Sequence, residues 1–239
     1  MATVILVRHG RTTANATGVL AGRTAGVKLD ETGRTQARRA GERLAPVPLA
    51  ALVSSPLERC RQTSRAIVEQ QEAAPTISID KGIVECDYGD WQGGKLSELA
   101  KEDLWKVVQS QPSAVTFPGG ESLPTMQSRS VAAIRRHDTA IEAEHGARAV
   151  WAAVSHGDII KSILADALGM HLDLFQRIHV DPASISIVRY SAGRPTVLAS
   201  NTHAGDLSWL VPSPDDEGAD DGAPVGGGAG PEANPPRRS

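Results

Sequence analysis

Two short apolar runs constrain this 239-residue chain more than any other feature. Thr3-Val4-Ile5-Leu6-Val7 leads into Arg8-His9-Gly10, and Ala149-Val150-Trp151-Ala152-Ala153-Val154 leads into Ser155-His156-Gly157. Each run reads as a buried strand, and each places one histidine where the strand surfaces. In an open parallel sheet the ligand crevice lies outside the carboxyl ends of the strands. The two histidines can therefore face each other across a single pocket.

Further apolar runs of strand type alternate with segments of helical period, which favours a layered α/β sheet. Ala50-Ala51-Leu52-Val53 forms the next strand candidate and ends at Ser54-Ser55-Pro56. The helix that follows carries Leu57, Cys60, Ile67 and Val68 on one face, with Pro56 at or near its first turn, so Arg59 falls beside free backbone N–H groups. After Val154, Asp158 is placed to cap a helix that turns Ile159, Ile160, Ile163, Leu164, Ala167 and Leu168 inward and stops at Gly169. Other expected elements are a helix over about 30–44, a loop Pro118-Gly119-Gly120-Glu121-Ser122 with Ser122 capping a long helix to about 144, and a hairpin of residues 185–190 and 196–199 turning near Gly193 at the sheet edge.

Length and composition favour one domain, residues 1–211, followed by an acidic Pro/Gly-rich tail, residues 212–239, with too few apolar residues to offset its ordering entropy. The formal net charge is −3, but the tail holds six acids and two bases, leaving 23 bases against 22 acids upstream. A nearly neutral body does not advertise nucleic-acid binding. No stretch approaches the roughly 18 apolar residues of a membrane span, and the N-terminal run is too short for a signal-peptide core. Two cysteines, Cys60 and Cys86, form neither a disulfide framework nor a metal spacing. The expectations are a cytoplasmic location, no metal, no cofactor, no nucleic-acid or membrane partner, and an oligomeric state left open, a homodimer included.

Arg-His-Gly alone is a weak signal. Its company strengthens it: Asn15, Arg59 after Ser54-Ser55-Pro56, Glu85 before Tyr88-Gly89-Asp90-Trp91, and His156 before Gly157. Together these are the parts of a phosphoryl-transfer site built without a metal. A phosphoryl group in flight is stabilised by preorganised cations and N–H donors, and Arg8 and Arg59 offer planar forks suited to phosphate. A neutral histidine can attack phosphorus through one ring nitrogen if the other donates to a fixed acceptor. A carboxyl group at the bridging oxygen can protonate the leaving alkoxide, and Glu85 is the candidate.

The arrangement resembles the histidine phosphatase superfamily, in its phosphoglycerate-mutase-like branch. Five matches in order carry the resemblance over residues 3 to about 203: residues 8–15 (Arg-His-Gly-Arg-Thr-Thr-Ala-Asn), residues 29–37 (Leu-Asp-Glu-Thr-Gly-Arg-Thr-Gln-Ala), Ser54-Ser55-Pro56-Leu57-Glu58-Arg59, Glu85, and Ser155-His156-Gly157. It implies a three-layer α/β/α sandwich with a mostly parallel central sheet. It also implies that His9 is the nucleophile, that Arg8, Arg59 and His156 grip the phosphoryl group, that Glu85 donates the proton, and that Asn15, more weakly Thr12, and Gly157 contact substrate.

Family mutases hold a substrate carboxylate with extra basic residues after the catalytic Glu. Here Cys86 and Asp87 follow it, Arg11 stands where mutases have an acid, and Lys95, Lys101 and Lys106 are the only bases between Glu85 and Ser122. A phosphomonoesterase acting on small-molecule esters is the favoured reading, a cofactor-dependent phosphoglycerate mutase the alternative, and a catalytically weak phospho-ligand-binding protein the third. The segment 93–120, with Leu96, Leu99, Leu104, Trp105, Val107 and Val108, is expected to form a lid over the leaving group. His137 and His145 read as a solvated helix face, and His171 and His179 as structural or surface residues. The role of His203 is left open. Arg34, Arg38, Arg39 and Arg43 read as an exposed helix face. Trp91, Trp105, Trp151 and Trp209 read as packing residues, with Trp91 also open to lining the pocket.

Overall fold

The computed structural model describes residues 2–191 and 194–202 and Gly226. The expected turn at Gly193, His203, Trp209 and the tail apart from Gly226 lie outside the described residues. Strands β1 (Thr3–Arg8), β2 (Ala51–Ser54), β3 (Ile77–Ile79), β4 (Val150–Ser155), β5 (Ile185–Ser191) and β6 (Arg194–Thr202) form one sheet in the order β3-β2-β4-β1-β5-β6. Four are mutually parallel; β5 runs antiparallel to β1 and β6 antiparallel to β5, an antiparallel pair at the sheet edge where the sequence suggests one.

Uninterrupted apolar strands follow from burial on both faces. Successive side chains alternate across a strand. Val4 and Leu6 join Val53, Trp151 and Ala153 in one core. Ile5 and Val7 join Leu52, Ala152 and Val154 in the other. The first core is closed by α6 (Leu123–His145) and α7 (Gly157–Ala167), through Ile134, Ile160 and Ile163. The second is closed by α2 (Glu31–Leu44) and α3 (Glu58–Val68), through Leu44, Cys60 and Ile67. This is the three-layer α/β/α sandwich.

Local chemistry sets the helix starts. Asp30 caps α2 by accepting from the Gly33 N–H, and Ser122 caps α6 by accepting from the Thr125 N–H. Arg34, Arg38, Arg39 and Arg43 point to solvent, as their spacing suggests. The start of α7 differs from expectation. Only one residue separates β4 from α7, so the cap position falls to His156 and Asp158 is drawn inside the first turn, fully buried. Leu168, expected inward, ends α7 at 53% exposure because the helix stops there and Gly169 takes a left-handed turn.

Two more expectations are corrected. His137 is not on a solvated face: it is half-buried, 2.7 Å from Asp80 Oδ2, with its ring against Trp151. His145 is exposed, and so are His171 and His179. The segment 93–120 folds into α4 (Leu96–Leu99) and α5 (Asp103–Ser110), and much of its apolar content packs downward. Leu99 and Val108 are buried in the core, with Leu104, Trp105 and Val107 packed against it. Trp91 stacks on Trp105 at 6.1 Å and abuts Phe117. No helix among the described residues is long and apolar enough to cross a membrane.

Leu6, with no exposed surface, lies in the middle of the sheet, whereas Leu198 on β6 is 47% exposed. Leu6→Ala should lower unfolding free energy by about 2–5 kcal/mol in urea titration, and Leu198→Ala by no more than about 0.5. Equal effects would contradict the assignment of the core.

Candidate active site

Parallel register brings three strand ends to one edge. Arg8 pairs with Ser155 across β1 and β4, and Ser54 pairs with Val154 across β2 and β4. The residues that follow, His9, Ser55 and His156, therefore emerge together. A short helix, α1 (Thr13–Ala16), and the loop after it wall the crevice, which is lined by His9, Thr12, Ala14, Asn15, Val19, Leu20, Ala21, Gly22, Arg59, Glu85, Tyr88, Leu96 and Gly226.

His9 is 3% exposed, with its ring 5.2 Å from that of His156. Its Nδ1 lies 2.7 Å from the Gly10 carbonyl oxygen. A carbonyl can only accept, so Nδ1 carries the proton and Nε2 carries the lone pair. The Arg59 Nε–H donates to that lone pair at 3.2 Å. Burial, then the charges of Arg59 and Arg8, hold His9 well below the ordinary histidine pKa, so the ring is neutral near pH 7. That is the state a nucleophilic imidazole requires.

Arg59 sits in the first turn of α3, almost wholly buried. Its Nη2 donates to the Gly22 carbonyl at 2.7 Å and reaches His156 Nδ1 at 3.2 Å, while Nη1 makes no hydrogen bond among the described residues. A buried guanidinium N–H at the crevice is a ready donor for an anionic oxygen. Because Arg59 can only donate, His156 Nδ1 accepts and Nε2–H donates to Ser55 Oγ at 2.7 Å. Burial, and then Arg59, depress its pKa well below the usual range. As arranged, His156 is a neutral acceptor that orients Arg59.

Arg8 lies fully buried at the end of β1, donating to the Val180 carbonyl at 2.8 Å and standing 3.5 Å from the Gly226 carbonyl oxygen. Glu85 is 3% exposed, and its Oε1 accepts from the Cys86 N–H at 3.0 Å. Burial foremost, then the negative charge of Asp158, pushes its pKa up to about 7. A carboxylic acid so tuned can hold a proton for delivery near neutral pH. Thr12 and Asn15 close a capping box: Asn15 Oδ1 accepts from both the Thr12 N–H and hydroxyl, leaving the Asn15 amide NH₂ for a ligand. Gly157 begins α7 and is buried, but does not line the crevice. Nor does Trp91, which is committed to packing. Of the expected lid, Leu96 is the residue that reaches the crevice.

A family model described as histidine phosphatase superfamily (branch 1) matches residues 4–203. The chain belongs to the histidine phosphatase superfamily. Among relatives, phosphoserine phosphatase 1 of Hydrogenobacter thermophilus is 30% identical over 212 residues, covering 87% of this chain and 96% of that protein. A bifunctional protein of Mycobacterium tuberculosis is 34% identical over 196 residues, 79% of this chain, which spans only 50% of that relative's length. The structure of YhfR from Bacillus stearothermophilus superposes with a TM-score of 0.77 at 25% identity, covering 85% of this chain and 98% of that one.

Beside these superfamily residues stands a second set that sequence reasoning missed. Arg23 Nε and Arg129 Nη2 both donate to the Glu85 carbonyl, at 2.9 and 3.2 Å. Glu121 ties the two together, accepting from Arg23 at 2.9 Å, from Arg129, and from the Asp87 N–H. Asp87, which stands where mutases carry a basic or polar residue after the catalytic Glu, is paired with Arg23 at 3.1 Å. Its charge is therefore balanced. Among the described residues, no group of three or more His, Cys, Asp or Glu side chains could hold a metal ion.

A general acid works only in its protonated form, so if Glu85 is that acid kcat/KM should be retained below about pH 7 and fall about tenfold per unit above it as the carboxyl ionises. Removing the Asp158 charge makes ionisation easier. In Asp158→Asn the alkaline limb of the pH–rate profile should move to lower pH, measured with the same ester in both proteins so that substrate ionisation cancels. A limb that stays in place or moves up would contradict the electrostatics.

Proposed function

We propose that the chain is a metal-independent phosphomonoesterase that hydrolyses small-molecule phosphate esters through a phosphohistidine on His9. The observation that carries this reading is the Nδ1–H···Gly10 carbonyl bond, which leaves the lone pair on His9 Nε2, met by the Arg59 Nε–H, at a crevice it shares with Glu85, whose pKa is raised to about 7. Phosphatase names among superfamily relatives support it, including phosphoserine phosphatase 1.

In the first half-reaction His9 Nε2 attacks phosphorus, the bond to the ester oxygen breaks, and Glu85 gives its proton to that oxygen, releasing an alcohol. Charge on the equatorial oxygens is met by Arg59 and Arg8, with the Asn15 amide beside them, held in place by its bonds from Thr12. In the second, Glu85, now a carboxylate, takes a proton from water as the water oxygen attacks phosphorus. The phosphorus–nitrogen bond then breaks, and inorganic phosphate leaves. His156 and Gly157 act one step back, through Arg59 and the start of α7.

The case against a mutase rests on the walls. Among the described residues lining the crevice Arg59 is the only base, and Arg23 is already held by Asp87 and Glu121. Among the described residues, nothing beyond the phosphate cradle is positioned to hold a carboxylate while it reorients. The catalytic unit in this reading is residues 1–211, supported by the family match. Cytoplasmic residence belongs to the same reading, supported by the free, buried thiols of Cys60 and Cys86.

A panel of phosphate monoesters should yield inorganic phosphate with the purified chain. His9→Ala should lower kcat/KM at least about 10³-fold, and Glu85→Gln about 10² to 10⁴-fold. Primer-dependent transfer between glycerate positions faster than hydrolysis would favour the mutase. Tight binding without turnover would favour a binding protein.

A further inference from the structure

Asp158 influences Glu85 through charge, and its carboxylate lies directly behind two residues that line the crevice, where a donor that takes the place of Gly226 would reach it. It is fully buried in the first turn of α7. Oδ2 accepts from the Tyr88 hydroxyl at 2.8 Å and from the Gly226 N–H at 3.1 Å, and both of those residues line the crevice. Oδ1 makes no hydrogen bond among the described residues, although Lys161 Nζ stands 3.5 Å away. At its other end Gly226 offers its carbonyl to Arg8 Nη2 at 3.5 Å. One glycine thus bridges the phosphate-binding guanidinium and a buried carboxylate, accepting from the first and donating to the second. Gly226 lies well beyond the end of β6 in sequence, so the pairing reports what this corner of the crevice takes: an oxygen acceptor with a donor a short covalent path away.

We propose that Asp158, oriented by Tyr88, is a specificity-determining residue that receives a substrate hydroxyl on the carbon next to the phosphate ester, so that polyol and sugar phosphates are favoured over simple alkyl phosphates. This rests on the phosphatase reading. Charge selects a neutral donor. Lys161 and Arg8 already flank Asp158, so an ammonium group on the leaving moiety would meet two cations, whereas a hydroxyl adds no charge. The phenol is rigidly held, since Tyr88 is fully buried and packs edge-on against Phe117 at 5.1 Å. A site built to hydrogen-bond a hydroxyl discriminates against the analogue without it, because an ester that displaces the Gly226 N–H and offers no hydroxyl leaves Asp158 Oδ2 with Tyr88 as its one donor among the described residues.

The test compares glycerol 3-phosphate with n-propyl phosphate on the full-length chain. The two esters have the same carbon count and differ in the hydroxyls. In the unaltered protein the ratio of kcat/KM values should favour glycerol 3-phosphate by about tenfold or more. In Asp158→Ala the ratio should collapse to within about threefold. Because the ratio is read within one protein, losses common to both esters cancel, including any change in Glu85 acidity. Removing the carboxylate alone leaves Lys161 buried without a counter-charge, so Asp158→Ala/Lys161→Met serves as the second variant and should give the same collapse. Binding to the His9→Ala protein, measured by calorimetry, should show the same preference without turnover. Equal treatment of the two esters by the unaltered protein, or a preference that survives both variants, would overturn the subsite. A binding preference with no phosphate release from either ester would leave the subsite standing and reject the phosphatase reading.

Discussion

Everything chemical in this site depends on one short hydrogen bond, from His9 Nδ1–H to the carbonyl of Gly10 at 2.7 Å. It decides which nitrogen can attack. The backbone around it is fixed from several sides. The Gly10 N–H donates to Thr63 Oγ1 at 3.1 Å, and Ala183, held at a positive φ of 57°, donates its N–H toward the carbonyls of Arg8 and His9. Gly10 itself is required by close approach: a methyl group there would be driven into the Gly33 carbonyl at the start of α2. A strained non-glycine residue persists only where its surroundings over-determine it, and here those surroundings are the end of the nucleophile strand.

Burial then sets the protonation of the whole crevice. Removing His9 and Glu85 from water disfavours the charged form of each, which makes the histidine a free base and the glutamate an acid. Both shifts serve the same reaction. The guanidiniums of Arg8 and Arg59 reinforce the first and oppose the second, and Asp158 reinforces the second. An unprotonated ring nitrogen and an acidic carboxyl, the pair the proposed reaction needs, thus coexist in one small volume.

The strand ends, the helix cap at Ser122 and the emergence of His9 and His156 at one edge are legible in the chain, because each depends on local pattern or on parallel register, while Arg59 and Glu85 join them through the family resemblance. What was not legible depends on pairing between distant segments. Nothing local announces that Arg23 and Arg129 converge on the Glu85 carbonyl, or that Arg23 balances Asp87. Composition misled at the expected lid, since its apolar residues suit a wall and a core equally, whereas Trp91 packs in the core as its aromatic character suggests. Asp158 looked like a cap because Asp before an apolar helical face usually is one. The single-residue link from β4 to α7 moved the cap to His156 and turned Asp158 inward.

The most direct measurement is the protonation of the His9 ring, read by ¹H–¹⁵N correlation spectroscopy on the full-length protein labelled at histidine nitrogens, from pH 6 to 8. A neutral ring with its proton on Nδ1 and an unprotonated Nε2 throughout that range is the predicted result. A ring protonated on Nε2, or a cationic ring at pH 7, would contradict the account.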